Sequence, residues 1–131
     1  MMAYLAVFFG GGLGSVARYA WGRVLTATWT GPVGLAGPAA TAAVNLAATA
    51  LLVFLLTRGE GPAAESRWTA HAWLLATTGF CGGFSTFSTF AADTVKLYTT
   101  GHPQWALANV AINVFGCLAV ALWGMGWKLG S

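Results

Sequence analysis

At 131 residues the chain has room for one domain, yet 57% of it is hydrophobic and only 7% charged, where ordinary soluble domains are about a quarter charged. Six Lys/Arg and three Asp/Glu cannot coat a soluble globule of this size, and basic residues scattered singly, despite a pI near 9.2, argue against a nucleic-acid surface. Seven Trp and eighteen Gly point to a lipid bilayer as the main solvent.

The first apolar run covers residues 2–23. Its start, Met1-Met2-Ala3-Tyr4, lacks the basic n-region of a secretory signal, so the run reads as a retained helix. Ala6, Gly10 and Gly14 recur every four residues and form a smooth stripe on which another helix can pack closely. Arg18 follows on the same face. An Arg at the bilayer centre costs roughly 2.5 to 3.5 kcal/mol on insertion scales, and less near an interface. It reads either as an electropositive lure at the base of an aqueous vestibule or as an interfacial anchor.

A turn-rich stretch, 29–34, leads to the second run, 35–57. There Thr41, Asn45 and Thr49 share one helix face amid Ala, Leu and Val, which turns that face away from lipid. An amide in hydrocarbon needs a partner, so Asn45 serves either as glue to another helix or as an N–H donor to an anion. The polar stretch 58–67, with Glu60, Glu65 and Arg67, reads as a loop.

The third run, 68–98, is longer than the roughly 20 residues a span needs. Gly79, Gly82 and Gly83 each weaken helix by about 1 kcal/mol, which predicts a break near 79–86. Such a break survives at membrane depth only beside protein or a water-filled cavity. Carbonyls freed there suit a hard cation such as Na⁺. Beyond the glycines, Phe84, Phe87 and Phe90 recur every third residue with Ser85, Thr86, Ser88 and Thr89 between them. Ring edges are electropositive, so edges interleaved with hydroxyls can give a small anion weak, multiple contacts; plain packing is the other reading of the stripe. Asp93 falls toward the end of this segment.

Thr99 to Pro103 stops one helix and starts the next, with Pro103 in a first turn where it is tolerated. In the fourth run, 103–127, Asn109, Asn113 and Cys117 continue one face, a second polar track or a second strip of helix glue. Cys81 and Cys117 sit in apolar stretches and read as small buried hydrophobes. His71 and His102, at segment ends without a carboxylate or Cys constellation, offer no enzyme site.

The expected architecture is therefore an all-α integral membrane domain over 1–131, with four transmembrane helices and the third broken at its centre. Arg58, Arg67 and Lys128 on one side nearly balance Arg23, Lys96 and Arg18 on the other, which gives little orientation preference. Copies inserted both ways can pair as an antiparallel homodimer.

These residues resemble the Fluc (CrcB) fluoride channel family over the whole chain. Gly11, Gly12, Gly14, Arg18 and Tyr19 follow its first-helix pattern, Val44-Asn45 its second, and G-F-C-G-G-F-S-T-F-S-T-F at 79–90 its third, the last string being highly specific. The resemblance implies a dual-topology homodimer with two antiparallel pores in the inner membrane, exporting fluoride passively from a microbial cytoplasm. It implies Phe87 and Phe90 as pore phenylalanines, Ser88 and Thr89 as hydroxyls beside the ion, Asn45 as a fluoride-facing amide and Arg18 at the vestibule. It further implies a structural Na⁺ held by the backbone carbonyls of Gly82 and Ser85 from both subunits, and no organic cofactor. Asn109 matches a polar position, whereas Asn113 stands where a hydroxyl residue is common.

Two other functions compete. A proton-coupled exporter of the small antiparallel-dimer type needs an embedded carboxylate. Glu60 and Glu65 lie in a loop and Asp93 near a helix end, so the sequence gives that reading no central residue. A non-transporting assembly subunit predicts no ion flux at all.

Overall fold

A chain this apolar can satisfy its backbone donors and acceptors within a bilayer only as helix or closed barrel. The computed structural model describes residues 1–59 and 69–129, with side chains as far as 126, and among these residues no strand forms. Glu60, Glu65 and Arg67 of the expected loop, the expected start of the third segment at Trp68, and the Lys128 side chain lie outside the described residues.

Among the described residues four helical segments follow in order, the third in two parts. They are α1 (Met2–Thr28), α2 (Ala36–Arg58), α3 (residues 70–84) with α4 (Phe87–Thr99), and α5 (residues 103–129). The 27 residues of α1 rise about 40 Å. Among the described residues two helices, Ala36–Arg58 with mean hydropathy 2.1 and Pro103–Gly126 with 1.9, are long and apolar enough to cross a membrane. Both α3 and α5 carry wider, π-helical stretches, Leu75–Cys81 and Ala111–Gly116.

The small-residue stripe sets the packing of α1. Its buried residues are Ala6, Gly10 and Gly14, while Phe8, Phe9, Leu13 and Val16 face outward. A Cβ on Gly10 would strike the Leu75 carbonyl, one on Gly14 the Phe80 carbonyl, and one on Gly83 the Gly11 backbone. Glycine faces glycine here, so α1 and α3 approach backbone to backbone.

That contact corrects one sequence expectation. Gly79, Gly82 and Gly83 remain helical, because Gly79 and Gly83 serve the close approach to α1 rather than a break. The chain leaves helical geometry at Ser85 (φ −76°, ψ 160°) and Thr86 (φ −154°, ψ 110°). Thr86 then restarts the helix, its hydroxyl accepting the Thr89 N–H at 3.3 Å as an N-cap.

The reversal after α4 is a paired-bond helix stop. Gly101 takes φ +84°, its N–H reaches the Tyr98 carbonyl at 3.2 Å, and the His102 N–H reaches the Leu97 carbonyl at 2.9 Å. Pro103 then opens α5. Through this turn α4 lies against the first turns of α5, while α2 packs on the later turns of α5 and on α4.

Candidate functional site

The two extended residues at the break lose their helical partners, and α2 supplies replacements. Asn45 accepts the Thr86 N–H on Oδ1 at 2.8 Å and donates from Nδ2 to the Thr86 carbonyl at 3.2 Å. A carboxamide thus stands in for one rung of backbone. Because the Thr86 N–H turns to Asn45, it is not spent on the Gly82 carbonyl four residues back.

The network continues into α5. Asn45 Nδ2 also donates to Asn113 Oδ1 at 2.8 Å; Asn113 Nδ2 donates to the Asn109 backbone oxygen at 2.9 Å and to its Oδ1 at 3.0 Å. Asn109 Nδ2 in turn donates to Thr94 Oγ1 at 2.8 Å and to the Phe90 carbonyl at 3.4 Å, both on α4. Asn109 and Asn113 are 5% and 7% exposed, deep enough that an unmet N–H would cost about 1 to 3 kcal/mol. Among the described residues no buried side-chain nitrogen or oxygen lacks a partner.

At the start of α4 three hydroxyls gather. Thr86 Oγ1 donates to Thr89 Oγ1 at 3.0 Å and lies 3.4 Å from Ser88 Oγ. Ser88 and Thr89 are exposed. The N–H groups of a helix's first turn have no intrahelical acceptor, and the helix dipole adds positive potential there. This end of α4 therefore presents donors and a ring edge together: Phe87 and Phe90 meet at 64° with centroids 5.3 Å apart. Phe84, the remaining member of the stripe, instead stacks on Phe80 at 5.6 Å.

Arg18 is half-buried at the other side of the break. Its Nε donates to the Gly83 carbonyl at 3.2 Å, and Ser15 Oγ donates to the same oxygen at 3.4 Å. A guanidinium at the carboxyl end of α3 opposes the negative pole of that helix. Arg18 also lines a cleft of about 290 Å³ between α1 and α2, with Arg23, Thr41, Val44, Thr86 and Thr89. The cleft leads from two cations to the hydroxyls of the break.

The chain thus brings Arg18, Asn45, Ser88, Thr89, Phe87, Phe90, Asn109 and Asn113 around one helix break. Gly10 and Gly14 stand apart, at the α1–α3 contact. Gly82 and Ser85 lie at the carboxyl end of α3, where Gly82 is exposed and a Cβ would meet nothing within 4 Å. No cluster of His, Cys, Asp or Glu among the described residues could hold a metal, so a cation here would have to take oxygen from backbone and hydroxyls. The carbonyl of Gly82, left by the diverted Thr86 N–H, has the chemistry for that.

Two residues take parts that the sequence reading does not give them. Thr86 is the pivot of the break; its signal was a Thr ahead of a helical run, the ordinary N-cap pattern. Asp93 was placed near a helix end, yet it lies inside α4, half-buried, accepting the Thr41 hydroxyl on Oδ2 at 3.0 Å. The helix runs on through Thr99 because its stop is the Gly101 turn.

Comparison with known proteins finds the same pattern elsewhere. Residues 5–125 match the family described as CrcB-like protein, Camphor Resistance (CrcB). The chain is 43% identical over 119 residues to the fluoride-specific ion channel FluC of Enterobacter sp. (strain 638), an alignment covering 88% of this chain and 85% of that protein. It is 44% identical over 125 residues to the protein of the same name from Cronobacter sakazakii, covering 91% and 90%, and 44% over 124 residues to that from Klebsiella pneumoniae, covering 90% and 89%.

Proposed function

The chain belongs to the CrcB-like family, and from that premise we propose that it is a passive fluoride-selective channel that lets fluoride leave the cytoplasm. The observation that carries this reading is the start of α4, where the Ser88 and Thr89 hydroxyls and the Phe87–Phe90 edge contact converge at the positive end of the helix dipole. The similar proteins are named as ion channels, not as enzymes.

Fluoride is small and strongly hydrated, so a path must replace water by many donors while holding the ion weakly enough to release it. Arg18 and Arg23 raise the anion concentration in the cleft. Thr89, which lines the cleft, and the neighbouring Ser88 exchange for water, and Phe87 and Phe90 offer positive ring edges beyond. Asn45, Asn109 and Asn113 form the polar track behind that end of the path.

The working unit in this reading is an antiparallel homodimer in the inner membrane, with two pathways. Phe87, at 77% exposed, and the outward apolar face of α1 are surfaces that a second copy and lipid would cover. Two carbonyls from one chain are too few for a Na⁺ shell. Gly82 and Ser85 of both copies would supply it at the symmetry axis, where the ion's charge would neutralise the facing carboxyl ends of α3.

The exporter reading gains one observation, the half-buried Asp93 inside α4. It predicts transport driven by a proton gradient. Liposomes loaded with fluoride and read by a fluoride electrode separate these possibilities. A passive channel releases fluoride without a proton gradient and retains chloride; equal passage of chloride removes the selectivity claim, and no flux leaves only a structural subunit.

A further inference from the structure

We propose that Asn113 is a positioning residue: it locks the Asn45 carboxamide in the orientation that clamps Thr86, and so fixes the first turn of α4 without contacting the ion. The consequence for flux rests on the channel reading above; the structural claim does not.

The directions of the hydrogen bonds carry the inference. Asn109 gives its N–H groups to the Phe90 carbonyl and Thr94 Oγ1, which leaves only its oxygens to face Asn113. Asn113 answers with Nδ2, to both the backbone and side-chain oxygens of Asn109, so only its own Oδ1 can face Asn45. Asn45 must then present N–H to Asn113, which sets its Oδ1 against the Thr86 N–H. Every amide has one permitted orientation, and the sense is passed from one to the next. The relay begins on α4, at Phe90 and Thr94, passes through α5 and α2, and ends at Thr86, the N-cap of α4.

Asn113 is the member that cannot be replaced by a hydroxyl without loss. A hydroxyl both donates and accepts, so it does not dictate which face of the Asn45 amide it meets. It is also shorter. With no fixed acceptor at 113, one half-buried Asn45 N–H loses its partner and the amide is held only by its two bonds to Thr86, which loosens the clamp. Asn113 has no N–H left over for an anion, since both go to Asn109.

The test uses the full chain in detergent micelles and compares Asn113→Leu, Asn113→Ser and Asn113→Asp with the unaltered protein. Amide hydrogen exchange at Thr86 and the concentration of fluoride giving half-maximal liposome flux are both read. Asn113→Leu should speed Thr86 exchange by roughly tenfold, the scale of one lost buried hydrogen bond, and lower maximal flux with half-saturation unchanged. Asn113→Asp keeps an oxygen facing Asn45 but can donate to Asn109 only once, and only when protonated, so it should restore part of the protection at acidic pH. Unchanged Thr86 exchange, with half-saturation moved to higher fluoride, would make Asn113 an ion ligand and overturn the proposal. Exchange at residues 97–102, in the remote Gly101 turn, reports whether the Leu variant has folded. If those amides also lose protection, Asn113→Ser decides: faster Thr86 exchange supports the relay and unchanged exchange overturns it. An unaltered protein that released no fluoride would sink the channel reading and leave the exchange result standing.

Discussion

Phe87 and Phe90 touch edge to face at 5.3 Å, yet Phe87 is 77% exposed and Phe90 only 7%. One ring is part of the subunit's core and the other waits at its surface, although both belong to one stripe with a period of three. The difference separates their roles in stability from their roles in transport. Phe90→Ile should leave a gap in the core and lower stability by about 1 to 3 kcal/mol, whereas Phe87→Ile should change the isolated subunit by less than about 0.5 kcal/mol. Both should suppress fluoride release from liposomes. Thermal unfolding of the monomeric fraction in detergent, run beside the flux assay, checks the split; a destabilised Phe87→Ile monomer would show that ring to be packed within one subunit.

The α1–α3 contact makes a sharper stability prediction. A methyl group on Gly10 meets the Leu75 carbonyl and the Gly79 Cα, neither of which can move without shifting a helix. Gly10→Ala should therefore destabilise by about 1 to 3 kcal/mol despite the better helix propensity of Ala. Gly12 has nothing within 4 Å of an added Cβ, so Gly12→Ala should be neutral or stabilising by up to about 1 kcal/mol. Denaturation midpoints of the two variants, taken in the same detergent, give the comparison. Equal effects would mean that α1 does not lie against α3 through this stripe.

How much of this was legible in the sequence follows the range of each interaction. The stripe of Ala6, Gly10 and Gly14 is a local period and stood out at once; so did the stop around Gly101 and Pro103, which needs only one αL residue and a Pro. The break falls at Ser85 and Thr86, inside the expected 79–86 window, but glycine is not its cause. Glycine weakens helix on its own, yet Gly79 and Gly83 are held helical by a partner some 68 residues away, of which the Ser15 to Gly83 bond is one measure. The amide relay was visible only as separate polar faces on two helices. That Asn45 spends its oxygen on Thr86, 41 residues along, is a tertiary fact with no local signature. The π-helical stretches at Leu75–Cys81 and Ala111–Gly116 add a residue to a turn and erase the very periodicity by which a sequence is read.

Thr86 joins the break to the helix that follows it. Its hydroxyl caps the Thr89 N–H, so Thr86→Ala should lose an N-cap, about 1 kcal/mol, while Thr86→Ser should keep it. The backbone bonds to Asn45 survive either change, which confines the effect to the first turn of α4. Fluoride flux in the Ala variant should fall by several-fold and recover in the Ser variant. Equal flux in both would remove the capped turn from any part in conduction.

Asp93 discriminates passive flow from coupled transport. It lies two helical turns from the break, half-buried, and its Oδ2 accepts the Thr41 hydroxyl at 3.0 Å. Asp93→Asn keeps an oxygen that can accept the same bond, so packing between α2 and α4 should persist while the titratable proton is removed. A passive channel needs no such proton. The Asn variant should therefore release fluoride at a rate within about twofold of the unaltered protein, a change in barrier under about 0.5 kcal/mol, and the rate should not respond to an imposed pH gradient. A coupled exporter would behave differently on both counts: gradient-driven uptake would vanish in the variant, and the unaltered protein would accumulate fluoride against its concentration when the gradient is reversed. Measuring both proteins with and without a pH gradient, at zero membrane voltage, decides the matter, because accumulation against the electrochemical gradient is the one outcome a pore cannot produce.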